Sequence, residues 1–226
     1  MPVVIMWRAA LALEWRGTTA LLSDTAKSKR FASSVGSASN VKLSVLLVNH
    51  GYPPLFNAGS EIYTQTLALK LVEHPSVSQV TVMAREHDPF RRDFEVRQTQ
   101  DEVNPRIAIR LINHAREAPY HRFINNDIAA VFRSILAETR PNVVHFGHLN
   151  HLSLDLPQLA QQAGSRTVYT LHDFWLMCPR GQFLVCGPTS LNEPSQPPWR
   201  ECAKQHDGKC AADCLASRYA TGADVS

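Results

Sequence analysis

The sequence lacks a long apolar run, a strong excess of one charge and the usual glycine motifs for nucleotides, and each absence excludes a class of protein. No stretch reaches the roughly 18 consecutive apolar residues that a membrane-spanning helix needs. The formal net charge is only +3, from 23 basic and 20 acidic residues, which does not suggest a nucleic acid as partner. Neither a GxGxxG motif nor a P-loop lysine is present. The 226 residues, 44% of them hydrophobic, therefore predict a globular protein that is soluble or at most peripheral to a membrane.

Residues 1–40 differ in composition from the rest of the chain. Their only acidic residues are Glu14 and Asp24, and they end in the small polar stretch ASSVGSAS at 32–39. They do not begin with the charged segment of a secretory signal. This composition predicts a basic, Ser-rich, disordered tail, either an organelle transit peptide or an extension without a structural role.

The most informative stretch is 42–61, KLSVLLVNHGYPPLFNAGSE. The apolar run Val45–Val48 is typical of a central strand, and the two prolines after it force the chain out of the sheet. A helical pattern then begins at Gly59 and Ser60. Because the first N–H groups of a helix have no intrahelical partner, this start is suited to a phosphate. The alternative is that Gly59 merely shapes a turn.

Predicted strands and helices alternate downstream of this stretch. This alternation predicts right-handed βαβ units and an α/β domain with a doubly wound parallel sheet, over about residues 41–176. The polar run 85–101 is predicted to be a loop or an exposed edge. Strands are predicted at 79–84, 106–112, 142–146 and 168–171, and helices from Asn126 or Asp127 to Arg140 and from Ser153 or Asp155 to a C-cap at Gly164.

Polar residues follow three of the predicted strands. Ligand sites in parallel sheets gather beyond the carboxyl ends of the strands, so these residues are expected to converge. Each histidine has the alternative role of a hydrogen-bonded structural group. His145, His148 and His151 could also suggest a metal site, but their spacing does not put all three side chains on one face and so does not favour metal binding. The residues are Asn49, His50 and Gly51, then His145, His148 and His151, then His172 and Asp173.

Three blocks occur in order: VLLV with PP and AGSE within 45–61, VVHFGH at 143–148, and TLHDFWLMCPRG at 170–181. Together they resemble the N-terminal half of a family 4 glycosyltransferase, a retaining enzyme of the GT-B fold that moves a sugar from a nucleotide donor. The resemblance covers about residues 41–215 and implies a Rossmann-like, acceptor-side domain. It implies Gly59 and Ser60 at the donor phosphates, His172 at the reaction centre, and His145, His148 and Asp173 in the acceptor cleft.

Members of that family also have a second Rossmann-like domain, which holds the nucleotide base and an acidic E-x7-E element, and this sequence stops before it. The expectation is therefore an acceptor-side domain that is inactive alone and needs a C-terminal donor-binding domain in the same or a separate chain. Its expected co-substrate is a UDP- or GDP-sugar, its acceptor a glycan or a lipid-linked sugar, and its location the cytoplasm or the cytoplasmic face of the membrane. The alternative is a non-catalytic binding module or subunit of the same fold that needs a partner chain.

All five cysteines lie in residues 177–226, a predicted irregular, Cys-rich insertion or truncated end. Four thiolates suit a structural zinc ion, but no pair has the CxxC spacing that most zinc sites use. Unligated thiols, disulfides and an iron–sulfur cluster are the alternatives, and a cysteine-based metal or redox protein is a weaker third reading of the whole chain. The cysteines are Cys178, Cys186, Cys202, Cys210 and Cys214.

Overall fold

Strands and helices alternate along the part of the chain that the computed structural model describes, which comprises residues 3–5, 42–115, 123–178, 181–186 and 199–202. The chain divides into two compact units, one of Val4–Tyr169 and one of Thr170–Ser226 with Met1–Val3. The elements are β1 (Val3–Ile5), β2 (Leu43–Val48), α1 (Gly59–Glu73), β3 (Val77–Glu86), β4 (Val96–Gln100), β5 (Ile107–Asn113), α2 (Asn126–Thr139), β6 (Val143–Phe146), α3 (Leu156–Gln162), β7 (Arg166–Leu171), β8 (Leu184–Cys186) and β9 (Trp199–Glu201).

The strand order of the main sheet is β1-β7-β6-β2-β3-β5-β4. Strand β2 pairs in parallel with both β3 and β6, β3 is parallel to β5, and β6 is parallel to β7. From β2 the chain moves outward to β3 and β5, and α2 then carries it back to β6 on the other side of β2. This is a mostly parallel, Rossmann-like α/β sheet, as predicted, and its strand order reverses between β2 and β6.

The core covers both faces of the central strand β2. Leu46, Leu47 and Val48 are completely buried, as the apolar run predicts. One face packs with Ala68 and Val72 of α1 in a single cluster of aliphatic side chains. On α2, Phe132 lies 6.2 Å from Phe146 of β6, measured between ring centroids. Burial of each large apolar side chain contributes about 1.5–3 kcal/mol, so these contacts fix β2 at the centre.

The N-cap of the second predicted helix, α2, lies at least one residue before the two predicted cap positions, Asn126 and Asp127. The side chain of Asn125 accepts hydrogen bonds from the backbone N–H groups of Asp127 and Ile128, both at 3.1 Å. Asn125 is therefore the N-cap, and the prediction of Asn126 or Asp127 was wrong. The helix ends with Arg140 in the left-handed conformation, φ 42°.

Helix α3 starts after Asp155, the second of the two predicted caps. Its C-cap is Ala163, and Gly164 follows with φ +88°, so the predicted cap at Gly164 was one residue too late. A glycine is favoured there because left-handed backbone is unstrained without a Cβ atom.

The polar run 85–101 is divided between two strands and a loop. Its first two residues end β3, and residues 96–100 form β4, which pairs antiparallel with β5 at the edge of the sheet. The run was predicted to be either a loop or an exposed edge, and the edge is confirmed for residues 96–100. A polar strand is tolerated there because an edge strand needs little burial.

In the second unit, β8 and β9 form a two-stranded antiparallel sheet. The ring of Phe174 lies 4.5 Å from that of Phe183, and the backbone N–H of Phe174 donates to the carbonyl of Gly181 at 3.0 Å. Three residues of the predicted tail, Val3–Ile5, form β1, and its other residues lie outside the described ranges. Within those ranges, none of the helices has both the length and the hydropathy that crossing a bilayer requires.

Candidate functional site

The candidate site lies where the strand order reverses, at the carboxyl ends of β2 and β6. These two strands are hydrogen-bonded neighbours, and the pairing continues beyond them, since the N–H of Gly147 donates to the carbonyl of Val48 at 2.9 Å. His50 follows β2 and His148 follows β6, and the loop after β2 leads directly into α1. A reversal of strand order opens a crevice at this edge, which is where open α/β sheets bind ligands.

A contact between His50 and the buried carboxylate of Glu61 links the end of β2 to the start of α1. Nε2 of His50 lies 2.8 Å from Oε1 of Glu61, whose side chain is only 2% exposed. The second carboxylate oxygen accepts a hydrogen bond from Oγ of Ser60 at 3.0 Å. Glu61 is in the first turn of α1, where the helix dipole stabilises a negative charge. Gly51 permits this approach, because a Cβ there would lie 3.1 Å from Glu61 Oε1 and 2.8 Å from Phe56 Cβ.

His148 completes the cluster from the β6 side. Its ring meets that of His50 edge-on, with 4.4 Å between centroids. The backbone N–H of Asn150 donates to Nδ1 of His148 at 3.0 Å, so a neutral His148 carries its proton on Nε2. The structure therefore joins Ser60 and His148, both predicted, through Glu61 and His50. His50 was noted at a strand end but not assigned to the site, and an acidic residue in the first helical turn was the signal for Glu61.

A buried acceptor faces the gap beside Gly147. Asn49 is completely buried, and its Nδ2 donates to the carbonyl of Gly51 at 3.2 Å. Its Oδ1 has no hydrogen-bond partner among the described residues. A Cβ at Gly147 would come within 3.1 Å of that oxygen and 3.4 Å of Thr64 Oγ1. An unsatisfied buried acceptor costs about 1–3 kcal/mol, so the arrangement favours a ligand or water that donates a hydrogen bond here.

The start of α1 is open, as the predicted phosphate loop requires. Gly59 is exposed, and a Cβ built on it would have no atom within 4 Å. The N-cap residue Ala58 makes no side-chain hydrogen bond to the first turn. The positive end of this helix is thus covered by neither a cap nor a bulky side chain.

The other predicted site residues lie in different surroundings. His145 is buried within β6, and its ring is 6.4 Å from that of Tyr63 on α1. His172 and Asp173 belong to the second unit, where Oδ1 of Asp173 accepts from the N–H of Trp175 at 2.9 Å. The roles assigned to these three residues stay predictions.

His114, at the end of β5, is a further buried histidine that the sequence reasoning did not single out. Its Nδ1 lies 2.9 Å from the carbonyl oxygen of His151, which can only accept, so the proton is on Nδ1. Its Nε2 is buried and has no hydrogen-bond partner in the described part of the chain. In the neutral form, Nε2 of His114 is therefore a hydrogen-bond acceptor.

Asp101, between β4 and β5, anchors the loop that carries His50. It accepts hydrogen bonds from Tyr52 Oη at 3.0 Å and Gln65 Nε2 at 2.9 Å, and its other oxygen accepts from the N–H groups of Val103 and Asn104. Burial favours the neutral acid, but these hydrogen bonds outweigh burial and lower the pKa of Asp101. Burial and the nearby charge of Asp101 raise the pKa of Tyr52.

The structure describes only part of the predicted zinc site. Cys178 is buried, Cys202 is half-buried, and Cys186 is in β8, whereas Cys210 and Cys214 lie outside the described ranges. No group of three or more His, Cys, Asp or Glu side chains within those ranges is arranged to hold a metal ion. The zinc site stays a prediction.

Comparison with known proteins gives one informative similarity. The chain is 26% identical over 145 residues to an uncharacterized 42.6 kDa protein in the cps region of Klebsiella pneumoniae. The match covers 61% of this chain and 38% of that protein, so the chain spans well under half the length of its relative. No protein-family model matches the chain, and no solved structure does.

Proposed function

We propose that this chain is the acceptor-side domain of a retaining glycosyltransferase that uses a nucleotide-sugar and acts in carbohydrate biosynthesis. The similarity to a protein of a cps region, a capsule gene region, is compatible with a role in carbohydrate biosynthesis. The observation that carries the finer proposal is the uncovered helix start at Gly59, beside the His50–Glu61 pair and at the reversal of strand order.

In this proposal the diphosphate of the donor lies in front of α1. Retaining transfer passes through an oxocarbenium-like transition state while a negatively charged diphosphate departs. Backbone N–H groups at a helix start stabilise that charge without reorganising, which is the way enzymes lower such barriers. Nε2 of His50 lies 2.8 Å from Oε1 of Glu61, so this contact engages one carboxylate oxygen beside the helix start.

The remaining parts of the proposal rest on the resemblance in sequence. His172 is the proposed catalytic residue beside the transferred sugar, and His145, His148 and Asp173 are proposed to contact a glycan or lipid-linked acceptor. A C-terminal donor-binding domain, in the same or a separate chain, would complete the active site in the cytoplasm or at the cytoplasmic membrane face.

The test is calorimetric titration of the purified chain with UDP- and GDP-sugars, alone and with a donor-binding domain supplied in trans. Gly59→Val places a branched side chain in the open space before the helix without touching the fold, so we expect affinity to fall about tenfold or more. Thr66→Val is the matched control, because Thr66 is an exposed position of the same helix.

Equal affinity of the wild-type chain and Gly59→Val would refute the phosphate role of the helix start. Sugar transfer by the reconstituted wild type and its loss in His172→Ala would support the enzyme. Absence of both binding and transfer in every combination would favour the alternative, a non-catalytic module of the same fold.

A further inference from the structure

A groove of about 1000 Å³ opens at the amino edge of the sheet, the edge opposite the candidate site. The first residues of β2, β6 and β7 form its floor, and the carboxyl ends of α2 and α3 form its sides. Every residue that lines the groove, from Leu43 to Arg166, belongs to the unit Val4–Tyr169. No described residue that lines the groove carries a carboxylate, whereas three of them are arginines: Arg133, Arg140 and Arg166.

These three arginines differ from five others in the same unit. The five donate hydrogen bonds to carboxylates or backbone carbonyls, whereas the groove arginines form no ion pair or side-chain hydrogen bond with any residue in the described ranges. Three guanidinium groups around one concavity without an internal acceptor are therefore free to contact an external anion. The five are Arg85, Arg91, Arg97, Arg106 and Arg110.

The backbone of Arg140 points to a use for its side chain. Arg140 is the C-cap of α2 and has φ 42° and ψ 56°, a left-handed conformation in which glycine is strongly preferred. A residue with a Cβ is strained there. A strained arginine at a position suited to glycine is an outlier of the kind that marks functional sites.

Hydrogen bonds hold the groove arginines in place. The N–H of Arg166 donates to the carbonyl of Asn142 at 2.9 Å, and Oγ of Ser165 donates to the carbonyl of Pro141 at 2.7 Å. The segment after Arg140 is thereby tied to the first residue of β7. Two of the three guanidinium groups thus project from backbone that is fixed before any ligand binds.

The charge and the floor of the groove define the ligand. The carboxyl ends of α2 and α3 contribute about half a negative charge each, which leaves a net charge of about +2 from three arginines. Leu43 and Val143 of the floor and Leu159 of one side give the groove an apolar part. A phosphate monoester carries about −1.5 to −2 at neutral pH, so its charge matches that of the groove.

We propose that this groove binds an amphiphilic phosphate, that is, a phosphate monoester joined to an apolar chain. The phosphate lies between the three guanidinium groups, and the apolar chain covers the side chains of Leu43, Val143 and Leu159. Residues 6–41 of the chain itself are an unsuitable occupant, because their charged residues are mostly basic, five against two, and would be repelled by the arginines.

The experiment uses octyl phosphate, below its micelle concentration, as the probe in calorimetric titrations of the purified chain. Inorganic phosphate and octanol, which each carry half of the probe's chemistry, are titrated in parallel. The variants are Arg140→Gly, which fits the left-handed backbone, Arg133→Gln and Arg166→Gln. Arg92→Gln is the control, because Arg92 is an exposed arginine that does not line the groove.

We expect saturable binding of octyl phosphate at one site and about tenfold weaker binding in each groove variant, as the loss of one charge-assisted contact implies. Inorganic phosphate and octanol should bind more weakly than octyl phosphate, and Arg92→Gln should match the wild type. Unsaturable binding, or equal affinity in the wild type and the three groove variants, would overturn the proposal. Flotation with phosphatidate and phosphatidylcholine vesicles then distinguishes the source: selective binding to phosphatidate assigns the phosphate to a membrane lipid, and its absence assigns it to a free amphiphile.

Discussion

Replacing Glu61 by Gln tests whether the His50–Glu61 pair holds the candidate site together. The carboxylate accepts hydrogen bonds from His50 and Ser60, at 2.8 and 3.0 Å. A hydrogen bond to a charged group contributes about 1.5–3 kcal/mol and a neutral one about 0.5–1.5 kcal/mol, so each loses about 1 kcal/mol. The lost charge at the helix start costs about 0.3–1 kcal/mol more. The free energy of unfolding should therefore fall by about 2–3 kcal/mol.

Glu61→Ala should lower the free energy of unfolding more than Glu61→Gln does. Glu61→Ala leaves Nε2 of His50 and Oγ of Ser60 without this acceptor, and each donor left unsatisfied costs about 1–3 kcal/mol. The measurement is urea unfolding of the full chain followed by far-UV circular dichroism, which reports the loss of helix in the whole chain.

Glu73→Gln is the matched control on the same helix. Its side chain is 62% exposed and forms only a surface pair with Lys70 at 3.5 Å, so the change should stay below about 0.5 kcal/mol. A double-mutant cycle with His50→Gln should give a coupling energy of about 1 kcal/mol or more to Glu61. A Glu61→Gln protein within about 0.5 kcal/mol of the wild type, or one without coupling to His50, would refute the reasoning.

Four further predictions concern the loops and caps around the sheet. Tyr52→Phe should lower the free energy of unfolding by about 1–3 kcal/mol in urea at neutral pH, because Asp101 loses a buried donor, and an unchanged urea midpoint would contradict this. Because the folded-state pKa of Asp101 lies below its ordinary 3.8, its contribution is complete above pH 3.8 and is lost as the pH falls through the folded-state value. The stability deficit of Asp101→Asn should accordingly shrink in acid unfolding experiments below that pH, and a constant deficit would show that Asp101 acts otherwise. Asn125→Ala removes the two cap hydrogen bonds of α2 and should cost about 0.5–2 kcal/mol by chemical unfolding, whereas no loss would mean that Ser153 and its neighbours hold the helix start alone. Arg140→Gly relieves the left-handed strain and should leave the thermal midpoint unchanged or raise the stability by up to about 1 kcal/mol, and a lower midpoint would mean that the arginine side chain supports the fold.

The parts of the fold that follow from local pattern were predictable. The apolar run of β2 and the two prolines after it placed the central strand and its exit loop, and Gly59 marked the start of α1. Strand β4 escaped a firm prediction because residues 96–100 are mostly polar and acquire strand geometry only by pairing with β5. The cap of α2 was misplaced because Asn125, Asn126 and Asp127 are all good cap residues, and only the backbone geometry decides among them.

The candidate site was predictable in its place but not in its contacts. Parallel strands made it possible to assign the histidines to one edge of the sheet, and His148 lies at that edge. The pairing of His50 with Glu61 depends on how the loop of residues 51–58 folds back, and no sequence period encodes that path. The carboxylate of Asp101, which fixes this loop, comes from a distant connection between β4 and β5.

The anchoring of the loop after β2 by Asp101 has a kinetic consequence. Tyr52 and Gln65 hold the two sides of that loop to one buried carboxylate, so its conformational entropy is already lost when the chain folds. A ligand that enters the crevice meets a surface that needs no ordering step. Its association rate should then be set by diffusion and orientation. Differences in affinity among related ligands should arise mainly from differences in their dissociation rate constants.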